Sequence, residues 1–187
     1  MDELIIFASG AGSNAAAIIA WFNANKKAKV SLIVCNKPEA GVLKIAAKEG
    51  IPTLLIDKHT IKSEDLVARM QACNPALIVL AGFLWKIPET ITSAFPGKII
   101  NIHPALLPSY GGKGMYGHHV HEAVIAAGAK ESGITIHYVN EAYDEGNIIV
   151  QAHCPVHTND TADTLAGRIH QLEHFYFPRV IEYLLSH

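Results

Sequence analysis

Short apolar runs recur along this chain at residues 4–8, 30–35, 53–56, 77–81 and 98–103, and the intervals between them can each hold a helix. Strands separated in this way cannot close as two-residue hairpins; they are joined by crossovers and run parallel. Their near-continuous hydrophobicity places them in a sheet covered on both faces. The intervals carry helical patterns up to Asn23, at 42–49 closed by Gly50, at 63–72 with Ser63 as the cap, and at 88–94. Beyond a further helix at 118–127 the rhythm changes. Residues 134–138 and 148–155 read as strands joined by a short polar loop, which permits a hairpin, so the sheet is predicted to end mixed. A long amphipathic helix over 161–185 closes the pattern, with Pro178 a candidate kink. The expectation is an α/β chain: three layers, α/β/α, around a mostly parallel sheet of about seven strands whose last strands are antiparallel. With no repeat or linker, residues 1–187 read as one domain.

Composition narrows what such a domain binds. Half the residues are hydrophobic and 17% are charged, against a typical charged share of about 25%, so most faces of the elements are predicted to be buried. A formal charge of -2 with no basic block argues against nucleic acid or an anionic membrane as partner. A small phosphorylated ligand is compatible, because backbone amides bind phosphate without net positive charge. Cys35, Cys73 and Cys154 are odd in number and lack paired spacing, which suggests neither a disulfide framework nor a thiolate metal site. Met1-Asp2-Glu3 is no secretory leader, and no apolar run reaches the ~18 residues of a membrane span. A cytoplasmic protein is expected.

Two stretches carry chemistry. In Lys98-Ile99-Ile100-Asn101-Ile102-His103-Pro104, strand alternation puts Asn101 and His103 on one face and Ile100 and Ile102 on the other. Pro104 lacks a ladder donor, so pairing should stop there. A pair of polar side chains is thus delivered to the carboxyl end of a strand, where open α/β sheets bind ligands; mere capping of a loop is the plainer reading. Upstream, Ser9-Gly10-Ala11-Gly12-Ser13-Asn14 is a glycine turn between strand and helix. Gly10, Gly12 and Ala15 fit a dinucleotide fingerprint, but the second strand ends Cys35-Asn36-Lys37-Pro38, without the acidic residue that holds a ribose. A phosphate cradle on the amides of Gly12, Ser13 and Asn14 is the favoured reading; a tight turn capped by Ser13 or Asn14 is the alternative.

Tyr143-Asp144-Glu145-Gly146-Asn147 lies between the two late strands and by default is a solvated turn. If 134–138 pairs with 98–103, Asp144 comes to the same strand end, where a carboxylate would raise the pKa of His103 and fix its orientation. Among eleven histidines, His118, His119 and His121 crowd one segment, but their spacing is not that of a zinc helix, and no metal is expected. His153, His157, His170, His174 and His187 read as surface or helix-face residues.

Taken together, the Ser-Gly-x-Gly-Ser-Asn turn, Ala81-Gly82-Phe83, the block Asn101-x-His103-Pro104-x-Leu106-Leu107-Pro108 and the Asp144 loop resemble, in order and along essentially the whole chain, the phosphoribosylglycinamide formyltransferases. The resemblance implies a Rossmann-like formyltransferase fold and transfer of a formyl group from 10-formyltetrahydrofolate, as co-substrate, to the amine of glycinamide ribonucleotide in purine biosynthesis. It implies Asn101, His103 and Asp144 as the catalytic trio. It assigns Gly12, Ser13 and Asn14 to the ribonucleotide phosphate and Glu173 to the ribose. It assigns Leu84, Trp85, Lys86, Ile87 and Asn101, with Asn140, Glu141, Ala142, Tyr143 and Asp144, to the folate. A monomer or homodimer is expected, with small molecules as partners.

The chain departs from that pattern in places. Leu84-Trp85-Lys86-Ile87 stands where relatives often carry an Arg, and Lys58 or Lys62 would have to replace a second Arg upstream. Residues 111–117, rich in glycine, are longer than expected and read either as a lid or as a flexible surface loop. The tail many relatives have after the last helix is missing. In the implied reaction Asn101 and a His103 imidazolium donate to the oxyanion, while Asp144 keeps His103 protonated more of the time and orders a water. The rivals are a tRNA or amino-sugar formyltransferase, a formyltetrahydrofolate hydrolase, a non-catalytic folate- or nucleotide-binding module, and, on fold alone, a dinucleotide oxidoreductase.

Overall fold

A computed structural model describes residues 1–141 and 144–187. In chain order the elements are β1 (Asp2–Ala8), α1 (Ser13–Asn25), β2 (Ala28–Cys35), α2 (Gly41–Glu49), β3 (Thr53–Leu55), α3 (Glu64–Ala72), β4 (Leu77–Leu80), α4 (Glu89–Ala94), β5 (Ile99–His103), α5 (His118–Ala126), β6 (Glu131–Tyr138), β7 (Ile148–Pro155) and α6 (Ala162–Leu185). A single 3₁₀ turn at Thr60–Lys62, which the sequence pattern did not suggest, precedes α3. The α3 start is as expected: Ser63 accepts a hydrogen bond from the Leu66 N–H at 3.2 Å. Gly50 ends α2 at φ 68°, a left-handed conformation suited to glycine. Helix α6 runs unbroken through Pro178.

The sheet order is β3-β2-β1-β4-β5-β6-β7. Pairings from β3 to β5 are parallel, and β5–β6 and β6–β7 are antiparallel, so the expected mixed sheet forms. One face is packed by α1, α2, α5 and α6 around Ile18, Phe22, Ile169 and Phe177. The other is packed by α3 and α4 around Leu66, Met70 and Ile91. Strand alternation decides which residue serves which layer: Ile100 and Ile102 go to the first face and Ile99 to the second. Asn101 and His103 therefore emerge on the α3/α4 face, at the end of β5.

The strand order reverses between β1 and β4. Crossovers on either side leave a crevice above their carboxyl ends, which is where such sheets take ligands. At that point the Ser9 N–H donates to the Gly82 carbonyl at 3.1 Å, and the Leu84 N–H donates to the Ser9 hydroxyl at 3.0 Å. Buried Ser9 thereby fixes residues 82–87 against the glycine turn. No helix among the described residues is long and apolar enough to cross a membrane.

Candidate functional site

A cavity of about 770 Å³ opens over these strand ends. Gly12, Ser13 and Asn14 line it, as do 84–87, Asn101, His103, Asn140, Asp144 and Glu173, so nearly all the residues singled out in the sequence share one chamber. Glu141 instead borders a shallow neighbouring hollow with Thr92 and Ser93. Ala142 and Tyr143 lie outside the described residues.

The β5–β6 ladder assembles the polar centre. Its register sets Asn101 opposite His137 and His103 opposite Thr135. The Tyr138 carbonyl lies 2.8 Å from His137 Nδ1. A carbonyl only accepts, so Nδ1 carries the proton and Nε2 accepts from the Asn101 amide at 3.2 Å. His137 thus fixes the Asn101 amide and leaves its second N–H for another acceptor. His103 is 3% exposed. Its Nε2–H donates to the Tyr110 carbonyl at 2.7 Å, and its Nδ1 lies 3.6 Å from Asp144 Oδ2. Asp144 also accepts the Gly112 N–H at 3.1 Å, and its other oxygen lies 3.6 Å from His137 Nε2. Both members of the His103–Asp144 pair are therefore held by backbone groups, His103 by Tyr110 just before the glycine-rich loop and Asp144 by Gly112 within it.

One expectation is corrected. Burial lowers the pKa of His103 more than Asp144 and the Tyr110 carbonyl raise it, and His137 adds to the lowering. Asp144 does pull towards the protonated ring, as expected, but the net shift is downward because desolvation of a nearly enclosed imidazole outweighs a carboxylate 3.6 Å away. Burial acts on Asp144 in the opposite sense, raising its pKa. The neighbouring His103 and the Gly112 N–H pull the other way, and the carboxyl lies below its ordinary range. The site contains an anionic carboxylate facing a neutral imidazole that gains a partner on protonation.

The glycine turn adopts the cradle form. Gly12 has φ 84°, and a Cβ there would come within 2.8 Å of Val42, so both backbone and space require glycine. No side chain caps α1, which leaves its first amides open towards an anion. The Asn14 amide instead donates to Glu173 Oε2 at 3.0 Å. Burial pushes the Glu173 carboxyl up, against opposing pulls from Asn14 and His170. Lys58 stands over the Trp85 ring, 5.8 Å from its centroid, at the wall built by 84–87. Among the described residues no group of three or more His, Cys, Asp or Glu could hold a metal ion.

With this geometry the chain can be set beside known proteins. A family model described as "Formyl transferase" matches residues 2–181. The chain belongs to the formyl transferase family. A chloroplastic phosphoribosylglycinamide formyltransferase from Vigna unguiculata is 43% identical over 97% of this chain, which spans 60% of that protein. A phosphoribosylglycinamide formyltransferase from Bacillus subtilis is 38% identical over 100% of this chain and 96% of its own. The crystal structure of glycinamide ribonucleotide transformylase 1 from Symbiobacterium toebii superposes with a TM-score of 0.91 at 31% identity, covering 100% of this chain and 88% of that one. The mixed seven-stranded sheet is thus that of a formyl transferase.

Two groups escaped the sequence reading. His137 shares a strand face with Thr135, since Ile134 and Ile136 pack into the α5/α6 layer; its polar alternation inside an apolar strand was the available signal. Thr135, fully buried, donates to the Ala105 carbonyl at 2.7 Å and accepts from the Leu107 N–H and the Gln151 amide, each at 3.0 Å. It anchors the turn that follows His103. His118, His121 and His170, set aside above, also line the cavity.

Proposed function

We propose that this chain transfers a formyl group from 10-formyltetrahydrofolate to the amino group of glycinamide ribonucleotide, as one catalytic domain over residues 1–187. The observation that carries the reading is the convergence of Asn101, His103 and Asp144 in a chamber that also holds the open amides of Gly12–Asn14 and the buried Glu173. The phosphate would rest on those amides and the ribose hydroxyls on Glu173. The folate would lie along 84–87 and Asn140, with Lys58 over Trp85 standing in for an arginine towards its acidic tail.

The amine lone pair attacks the formyl carbon, and the C=O electrons move to oxygen. The second N–H of Asn101, already oriented by His137, donates to that oxyanion. As negative charge grows, the protonated form of His103 becomes favourable: the proton released by the attacking amine adds at Nδ1, where Asp144 stabilises it. Collapse of the tetrahedral intermediate breaks the bond to the folate nitrogen, and that nitrogen takes up the proton. Starting from a neutral imidazole suits this cycle, because His103 must first accept a proton before it returns one.

The test mixes the protein with 10-formyltetrahydrofolate and follows tetrahydrofolate release with and without glycinamide ribonucleotide. Release that depends on the ribonucleotide is the expected result. Release without it would identify a hydrolase, and none in either case a binding module.

A further inference from the structure

Leu107, on the turn that follows His103, is gripped at both of its backbone polar atoms. Its N–H donates to the Thr135 hydroxyl at 3.0 Å, and its carbonyl accepts from the Gln151 amide at 2.9 Å. The same amide reaches the Thr135 hydroxyl at 3.0 Å, and that hydroxyl gives its own proton to the Ala105 carbonyl at 2.7 Å. A hydroxyl has two lone pairs and one proton, so Thr135 is saturated and its orientation is fixed. The buried Leu107 side chain in turn lies against Gly111, where a Cβ would come 2.5 Å from Leu107 Cδ2 and 3.5 Å from Asp144 Cβ. The peptide joining Tyr110 to Gly111 therefore rests on Leu107, and its carbonyl is the one that takes His103 Nε2–H. Tyr110 itself has φ 56°, a left-handed conformation that a tyrosine keeps only where its surroundings hold it.

Resting on the reading above, we infer that Gln151 of β7 is a positioning residue for the reaction: through Leu107 it holds the Tyr110–Gly111 peptide, and that peptide selects the ring tautomer that leaves His103 Nδ1 open. A neutral imidazole carries one ring proton, and the partner of one nitrogen decides which nitrogen bears it. Two acceptors compete for that proton on His103. The Tyr110 carbonyl lies 2.7 Å from Nε2, and an Asp144 carboxylate oxygen lies 3.6 Å from Nδ1. A carboxylate is the stronger acceptor at equal distance, so the carbonyl wins only while it is kept close. If it drifted away, the proton would move to Nδ1 and face Asp144. Nδ1 would then be filled, and the proton released by the attacking amine would find no lone pair there. Gln151 lies outside the lining of the chamber and acts on the chemistry only by way of this chain of contacts.

Nitrogen chemical shifts of the imidazole rings in the full chain at pH 8, with His103 identified by its loss in His103→Ala, read the tautomer directly. The wild type should show the Nε2–H form, and Gln151→Met should move part of the population to Nδ1–H. In steady-state assays of Gln151→Met, kcat should fall about threefold to tenfold, the scale of one ordinary hydrogen bond, while the KM for each substrate stays put. Gly111→Ala presses a methyl group into Leu107 from the opposite side and should give the same tautomer shift and the same loss. A lowered urea midpoint with wild-type tautomer and kcat would make Gln151 a structural residue only and overturn the inference. A wild-type ring in the Nδ1–H form overturns it too, as does a change in tautomer or in kcat without the other. If Gln151→Met does not fold, the wild-type spectrum and Gly111→Ala decide by the same criteria. If the wild type transfers no formyl group, the proposed reaction falls instead. The positioning is then judged from the spectra: a tautomer shift in the variants supports it, and its absence overturns it.

Discussion

Acidification should reveal the cost of burying His121. Burial, with nearby His170, His118 and His103, pushes its pKa down from 6.5 to about 4. Unfolded, the ring takes up a proton as the pH falls through 6.5; folded, it resists until about 4. Between those values the unfolded chain binds more protons, so stability declines as pH falls across the window. Linkage between the two pKa values gives about 2 kcal/mol lost from pH 7 to pH 5, which solvent screening at the cavity reduces to roughly 1–2 kcal/mol. The substitution His121→Leu removes this sensitivity together with a nitrogen that has no partner, so its cost at pH 7 should stay within about 1 kcal/mol. Urea unfolding followed by the fluorescence of Trp21 and Trp85, at pH 7 and pH 5, measures the effect. Burial pushes His103 and His174 in the same direction, so both proteins should weaken in acid, the wild type by the additional roughly 1–2 kcal/mol. Equal losses in the two proteins would refute the reasoning.

Other perturbations address the proposed catalytic centre and its support. His103→Ala or Asp144→Asn should lower kcat by at least ~10² with an unchanged circular dichroism spectrum; near-normal turnover in a folded His103→Ala protein would remove the assignment. Thr135→Val keeps the volume but strands the Leu107 N–H and removes one of the two acceptors of the Gln151 amide. It should cost about 1–3 kcal/mol, read as a lowered urea midpoint, and an unshifted midpoint would show that the turn does not depend on that hydroxyl. Asn101 should lose its fixed orientation in His137→Phe, lowering kcat while the KM for the ribonucleotide stays put; a change confined to KM would contradict the positioning role.

The fold was largely legible because its cause is local and repeated. Apolar runs with helix-length spacing admit few arrangements other than a covered parallel sheet, and the link after 134–138 is short enough to permit a hairpin. Asn101 and His103 were found together because strand alternation is strict. What escaped depends on docking. Nothing in the neighbours of His103 along the chain reports that it is nearly enclosed, so the sign of its pKa shift emerged only with the packing. His118, His121 and His170 lie on two helices far apart in sequence, and only the α5–α6 contact brings them to one wall. His137 was hidden among apolar neighbours, although its partner Thr135 two residues earlier carried the same alternation.

The β5–β6 ladder acts as an alignment jig. Four polar groups owe their common face to one register, and two glycines hold it: a Cβ at Gly133 would lie 2.0 Å from the Ala152 carbonyl oxygen, and one at Gly146 would lie 1.6 Å from that of Tyr138. A one-residue insertion within β6 would reverse every side chain beyond it, sending His137 into the α5/α6 layer and an isoleucine into the chamber. The same insertion between Gly112 and Gly117 would leave the ladder untouched. A change of length in the loop would thus reshape one wall of the chamber, while the polar groups on the ladder would keep their spacing.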